Sequence, residues 1–96
     1  MLVLVTYDVD TTSLAGQRRL RKVAKECLNY GQRVQNSVFE CYVDYTQYTK
    51  LKISLGQIID EQNDSVRFYR LGNNYEHKVE TLGVSTEIDL AGNLIL

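Results

Sequence analysis

Asp8 is the residue whose type and position are best suited to chemistry. It closes the apolar segment MLVLVTYDV, residues 1–9, just before a basic stretch. Carboxylate oxygens bind Mg²⁺, which usually combines one or two carboxylates with waters and substrate phosphates. One Asp per chain is a poor metal site, so a two-fold dimer would have to supply the second carboxylate. The alternative is structural, because an Asp after a strand often caps a turn and Asp10 could do the same.

A cluster of positive charge follows Asp8 along the chain. Between residues 17 and 33 the single anion Glu26 is outnumbered by six cations, namely Arg18, Arg19, Arg21, Lys22, Lys25 and Arg33. The formal net charge of -1 argues against a globally basic nucleic-acid binder, so any such role must rest on this cluster. We expect the five helix cations, Arg18 to Lys25, to contact phosphates without reading base sequence. The alternative is an ordinary solvated helix face.

The other reactive residues exclude several classes of enzyme. His77 is the only histidine and stands in a polar stretch, which excludes a paired-histidine ribonuclease within one chain and predicts a surface side chain. No Ser-His-Asp or Cys-His set can be built, and no GxxxxGK[ST] phosphate loop occurs. Cys27 and Cys41 lack the spacing of a zinc or redox pair, so we expect reduced, packed thiols.

The opening segment also bears on location. It is too short to cross a bilayer, it lacks a basic leader, and Asp8 interrupts it, so neither a signal peptide nor a membrane anchor fits. We therefore expect a cytoplasmic protein with no membrane partner.

Hydrophobic periodicity and turn residues predict strands that alternate with two helices. The first helix follows a cap at Thr12 or Ser13 and ends at Gly31, which would supply a left-handed residue. The second helix starts between residues 44 and 46 and ends before the polar run DEQND. Strands are predicted over residues 1–9, 33–43, 65–71 and 79–82, and an apolar tail follows.

Spacing within these elements predicts the buried core. The expected helix stripes are Leu20, Val23, Ala24, Cys27 and Leu28 in the first helix and Tyr48, Leu51, Leu55, Ile58 and Ile59 in the second. In residues 33–43 the apolar side chains change face near Asn36 and Ser37. A bulge or a very tight hairpin would produce that change, and the sequence leaves both possibilities open.

The order of elements predicts one α+β domain over residues 1–96, a ferredoxin-like β-α-β-β-α-β sandwich with an extra C-terminal strand. Such a sheet has helices on one face only. The opening strand is apolar on both faces, so we expect a second protomer to cover the other face in a homodimer. We also expect residues 83–96 to dock on the partner subunit, because an apolar terminus is unfavourable in water.

Several motifs resemble those of one known family. Tyr7 and Asp8 close the first strand, the basic helix reads QRRLRKVAKEC, and the strings YGQRVQNSVFEC and DSVRFYRL follow. Together these residues are similar to the small CRISPR-associated Cas-two proteins along essentially the whole chain. RVQNSVFEC is the most specific string, and the tail AGNLIL resembles the type I-C branch.

The resemblance implies a ferredoxin-like homodimer that takes part in spacer acquisition, bridges two dimers of the Cas-one integrase and holds duplex DNA. Many members are described as metal-dependent endonucleases acting on single-stranded RNA or on duplex DNA, and the expected metal is Mg²⁺ or Mn²⁺. The family's metal-binding Asp falls on Asp8, and the basic helix positions correspond to Arg18 and Arg19. The candidate catalytic residues carried over are Asp8, Tyr7, Arg33, Ser37 and Phe39.

Other functions remain open from the residues alone. The dimer could be a scaffold for the integrase and DNA without catalysis, or a toxin-like ribonuclease, since related ferredoxin-like toxins share the dimer plan. A third alternative is regulation by a small ligand, as in other ferredoxin-like domains, but the sequence contains no obvious ligand-binding motif. Tyr7 and Phe39 could stack on exposed bases, although aromatic residues on strands are more often part of a core.

Overall fold

The computed structural model describes residues 1–71 and 77–84. Its elements are β1 (Leu2–Asp8), α1 (Leu14–Leu28), β2 (Gly31–Gln35), β3 (Val38–Tyr42), α2 (Tyr45–Ile58), β4 (Ser65–Leu71) and β5 (His77–Gly83). The strands form one antiparallel sheet in the order β2-β3-β1-β4-β5. This arrangement confirms the predicted ferredoxin-like α+β fold with an added C-terminal strand.

The two faces of the central strand β1 differ in burial. Val3, Val5 and Tyr7 are buried in a core shared with both helices, whereas Leu2 and Leu4 on the other face are only half-buried. Alternation along the strand therefore places one face under the helices and leaves the other face partly open.

Helix α1 begins at the predicted cap, because the Ser13 hydroxyl accepts a hydrogen bond from the Gly16 amide at 3.0 Å. Val23 and Cys27 are buried as predicted. The prediction was wrong for Leu28, which is the last residue of α1 and is 56% exposed at the end of the helix.

The prediction of a left-handed Gly31 was also wrong. Among the glycines of the described residues only Gly83 has a positive φ, 89°, and Gly31 is the first residue of β2. A Cβ at residue 31 would overlap the carbonyl oxygen of Glu40, so the absence of a side chain lets β2 approach β3 closely. The helix instead closes through the Asn29 amide, which donates to carbonyl groups in the last turn.

The change of face in residues 33–43 arises from a tight hairpin and a bulge together. Strands β2 and β3 are joined through Asn36 and Ser37, which form the turn. The pairing shifts by one residue between Arg33 and Gln35. Both features that the sequence left open are therefore present, and each moves the apolar side chains relative to the sheet.

Helix α2 is fixed at its start and along its buried side. The Asp44 carboxylate and the Gln47 side chain form a capping box, and Tyr48, Leu51 and Leu55 are buried. The Tyr48 hydroxyl donates to the carboxylate of Glu80, and Lys52 Nζ lies 3.1 Å from Glu80 Oε2. These bonds connect β5 to α2.

Two predictions fall outside the described residues. Most of the C-terminal segment predicted to dock on a partner, residues 83–96, lies there, and so does the side chain of His77. Among residues 1–71 and 77–84, neither helix has the length and apolar character needed to span a bilayer.

Candidate metal site and nucleic-acid interface

Asp8 lies at the end of β1, where the strand meets solvent. Asp8 pairs with Ser65 of β4, and the side chain of Asp8 is exposed. Alternation along β1 places the carboxylate on the open side of the sheet, opposite the buried ring of Tyr7. Among the described residues no side chain or amide bonds to the Asp8 carboxylate. Its oxygens are therefore available to a cation.

The surroundings of Asp8 limit what kind of metal site it can form. In the part of the chain that the structure describes, no three His, Cys, Asp or Glu side chains gather as a metal cage. An exposed carboxylate with free oxygens fits Mg²⁺ or Mn²⁺ as one ligand, since Mg²⁺ keeps several waters and takes others from substrate phosphates. The remaining ligands must come from water, nucleic acid or a second copy of the chain.

Three of the other candidate catalytic residues form a stack beneath the β2–β3 hairpin. The Tyr7 and Phe39 rings lie 6.1 Å apart at 25°, and the Arg33 guanidinium carbon lies 5.1 Å from the Phe39 ring centroid. Phe39 is fully buried and Tyr7 is 6% exposed, so the structure places these rings in the core. The exposed Arg33 covers the edge of that core.

The stack connects the hairpin turn to β1. The Tyr7 hydroxyl donates to the Asn36 carbonyl oxygen at 3.4 Å, and the Tyr7 amide donates to the Ser37 carbonyl oxygen at 3.1 Å. Burial raises the pKa of the Tyr7 phenol, which therefore stays protonated as a donor at neutral pH. Ser37 thus contacts the residue next to Asp8 through its backbone.

The five predicted phosphate-binding cations separate into two groups. Arg18, Arg21, Lys22 and Lys25 are exposed and line one open depression on the surface of α1. Their spacing of three, four and seven residues places them on one side of the helix. We call these four residues the basic face of α1.

Arg19 faces another way, into the molecule. Its Nε lies 2.7 Å from Asp64 Oδ2, and its Nη2 lies 3.4 Å from Asp64 Oδ1. The Arg19 side chain is only 20% exposed. Its guanidinium is therefore engaged by a carboxylate, unlike the side chains of the basic face.

Asp64 is a residue that the sequence analysis missed. It is fully buried, and it accepts hydrogen bonds at 2.9 Å from the amides of Asp10 and Asp60. Burial alone would raise the pKa of this carboxyl, but the bonds from Arg19 and the two amides hold it below its ordinary value. An acid directly before an apolar strand was the only sequence signal of this role.

The two cysteines are free thiols in the core, as predicted. Cys27 and Cys41 are both fully buried. Burial raises the pKa of Cys27 to about 12 and that of Cys41 to about 11. Neither thiol therefore supplies a thiolate nucleophile or a metal ligand at neutral pH.

Comparison with known proteins links this arrangement to one family. The family profile described as CRISPR associated protein Cas2 matches residues 1–79. A CRISPR-associated endonuclease Cas2 from Halalkalibacterium halodurans is 65% identical over 95 residues, covering 99% of each chain. A CRISPR-associated endoribonuclease Cas2 from Chlorobaculum tepidum is 57% identical over 96 residues, covering 100% of each chain.

Solved structures agree with the sequence relatives. The crystal structure of Streptococcus pyogenes Cas2 at pH 6.5 is similar with a TM-score of 0.72 and 61% identity, covering 78% of this chain and 90% of that one. A hypothetical protein from Thermus thermophilus has a TM-score of 0.66 and 33% identity, covering 78% of this chain and 85% of that one. The likeness therefore extends from sequence to three-dimensional arrangement.

Proposed function

We propose a function from one premise: the chain belongs to the CRISPR-associated Cas2 family. The function is cleavage of phosphodiester bonds in nucleic acid by a metal-dependent endonuclease that acts in CRISPR spacer acquisition. The metal is Mg²⁺ or Mn²⁺ and is held at Asp8. The protein works in the cytoplasm as a homodimer, together with the Cas-one integrase and duplex DNA, and single-stranded RNA is a second possible substrate.

The exposed carboxylate of Asp8 is the observation that carries this proposal. It is an acid at a strand end with no bonding partner among the described residues, in a protein whose relatives are named endonuclease and endoribonuclease. Hard divalent cations take such oxygen ligands readily. A metal bound there would polarise a phosphate and lower the pKa of an attacking water.

A homodimer would supply the second carboxylate. The open side of the sheet carries the half-buried Leu2 and Leu4 of β1 together with the exposed Tyr42 (63%) and Val79 (48%). Covering these apolar side chains with a second copy is favourable, at about 25 cal/mol per Å² removed from water. Because Asp8 is on the same side of the sheet, such a dimer would also bring two Asp8 carboxylates towards each other.

Other residues of the chain would bind and hold the substrate. The basic face of α1 would attract the sugar-phosphate backbone without reading bases. The buried stack of Tyr7 and Phe39 under Arg33 would hold the hairpin beside β1, so these residues would act by positioning and not by direct contact. Arg19, which is paired with Asp64, would act by holding the Asp64 carboxylate.

Asp8→Asn tests the metal site with almost no change in volume. We expect cleavage of RNA or duplex DNA with Mn²⁺ or Mg²⁺ to fall by about 100-fold or more, as expected when charge stabilisation at a reacting phosphate is removed. The dimer and its affinity for DNA should be retained. Asp60→Asn is the matched control, since among the described residues the Asp60 carboxylate bonds to its own turn at Gln62 and Asn63.

Two results would lead to different conclusions. Cleavage that survives Asp8→Asn would remove Asp8 from the mechanism. If the unaltered protein shows no metal-dependent cleavage between pH 6 and 9, the function would be that of a scaffold for DNA and the integrase. The basic face of α1 favours that second candidate, because it can hold DNA without any catalytic group.

A further inference from the structure

We propose that Asp64 is a positioning residue for Asp8. Its buried carboxylate fixes the backbone that follows Asp8, and Arg19 holds that carboxylate in place. The inference rests on the proposed metal site, and it assigns a role to an ion pair on the opposite side of the sheet from the metal.

The first link runs from Asp64 to the segment after Asp8. The amide of Asp10, two residues beyond Asp8, donates to Asp64 Oδ1 at 2.9 Å. Asp64 directly precedes Ser65, which pairs with Asp8 in the sheet. The strand pairing and the hydrogen bond therefore hold the backbone on both sides of Asp8.

The second link comes from helix α1. A Cβ at residue 16 would overlap the carbonyl oxygen of Asp10, so the absence of a side chain at Gly16 lets the segment pack directly on the helix. Arg19 lies three residues further along the same side of the helix and reaches Asp64. Asp10 is therefore held through its amide by Asp64 and packed at its carbonyl group against α1.

The bonds to Asp64 leave it no freedom for direct chemistry. Oδ1 accepts from the Asp10 amide and from Arg19 Nη2, while Oδ2 accepts from Arg19 Nε and the Asp60 amide. The residue is 0% exposed, so neither a metal nor a substrate reaches it. Three of these bonds reach other segments of the chain, one to the stretch after β1 and two to α1, so the carboxylate acts by holding those segments together.

This restraint on the backbone matters because the Asp8 side chain has no hydrogen bond of its own. None of the described residues bonds to the Asp8 carboxylate, so its direction depends on the backbone that carries it. Removal of the outer partners that orient a metal ligand costs about 10- to 100-fold in metal affinity. We expect Asp64 to contribute at the lower end of that range, because it acts through the backbone and not through the ligand oxygens.

The experiment measures Mn²⁺ binding to the full-length protein by the EPR signal of the free ion, which does not depend on activity. In Asp64→Asn the Mn²⁺ concentration for half-saturation should rise by about 10-fold. Amide hydrogen exchange at Asp10 should become faster in the same variant. Arg19→Lys keeps the positive charge but cannot bond through two nitrogens, and it should shift both readouts in the same direction by a smaller amount.

Glu61→Gln is the control for charge. It removes one negative charge from the same loop, and among the described residues nothing bonds to the exposed Glu61 side chain, so Mn²⁺ affinity and Asp10 exchange should stay unchanged. Equal shifts in Glu61→Gln and Asp64→Asn would mean that charge alone acts at a distance, which would overturn the proposal. Should Asp64→Asn fail to fold, Arg19→Lys supplies the same comparison.

The failures of the two proposals can be told apart. If the unaltered protein does not bind Mn²⁺, or binds it equally after Asp8→Asn, the proposed metal site is wrong and the role of Asp64 falls with it. If Mn²⁺ binding depends on Asp8 but is the same in Asp64→Asn and Arg19→Lys, only the positioning role is refuted.

Discussion

Replacing Lys22 with Gln should weaken the salt dependence of DNA binding by a calculable amount. Lys22 is one of the four cations of the basic face of α1, and its exposed side chain has no acidic partner among the described residues. Each phosphate neutralised contributes about -0.9 to the slope of log affinity against log salt. In the proposed homodimer Lys22 occurs twice, so two phosphates would no longer be neutralised and the slope should become less steep by about 1.8.

The slope change translates into a ratio of affinities that can be measured directly. Between about 50 and 200 mM salt, the affinity advantage of the unaltered protein over Lys22→Gln should shrink by about ten-fold. Fluorescence anisotropy with a labelled duplex of unbiased sequence, titrated at several KCl concentrations, gives both quantities. Lys50→Gln is the matched control, since Lys50 is exposed on α2 and outside the basic face.

The comparison with the control decides the outcome. Equal slopes for Lys22→Gln and the unaltered protein would place the phosphate contacts elsewhere. The same decrease of slope in Lys50→Gln would show that overall charge, and not the basic face of α1, governs binding. A slope that changes for one duplex sequence and not for another would contradict recognition through the backbone.

Three further predictions concern the buried groups. The pKa of Asp64 lies below its ordinary value of 3.8, so the ionised carboxylate contributes stability above pH 3.8, and this contribution disappears as the pH falls through the lowered pKa. The difference in urea midpoint between the unaltered protein and Asp64→Asn should therefore narrow from pH 6 to pH 3. A difference that stays constant over that range would refute the role of the ionised Asp64 carboxylate in stability. Cys27 and Cys41 should react with a disulfide reagent at pH 8 only after unfolding, because burial raises their pKa to about 12 and about 11; rapid labelling of the native protein would contradict their burial. Phe39→Ala should lower the free energy of unfolding by about 3–5 kcal/mol, since the ring is fully buried; abolished cleavage with unchanged stability would instead indicate direct contact of Phe39 with substrate.

The sequence by itself determined the elements and much of the core. Alternation along residues 1–9 identified β1, the cap expected at Thr12 or Ser13 located the start of α1 to within one residue, and helical spacing identified Val23 and Leu51 as buried. These features depend on neighbours a few residues away, so they can be read from local patterns. The exposed position of Asp8 at the end of β1 follows from the same patterns.

Only the tertiary structure decided which polar residues are engaged inside the fold. Arg18 and Arg19 are adjacent and chemically identical, yet one is exposed on α1 and the other bonds to the buried Asp64. That difference depends on where the loop before β4 meets α1, and the contact joins residues 45 positions apart in the chain. Residue spacing within one helix or strand carries no information about a contact of this kind, because the contact forms only when separate segments of the chain pack together.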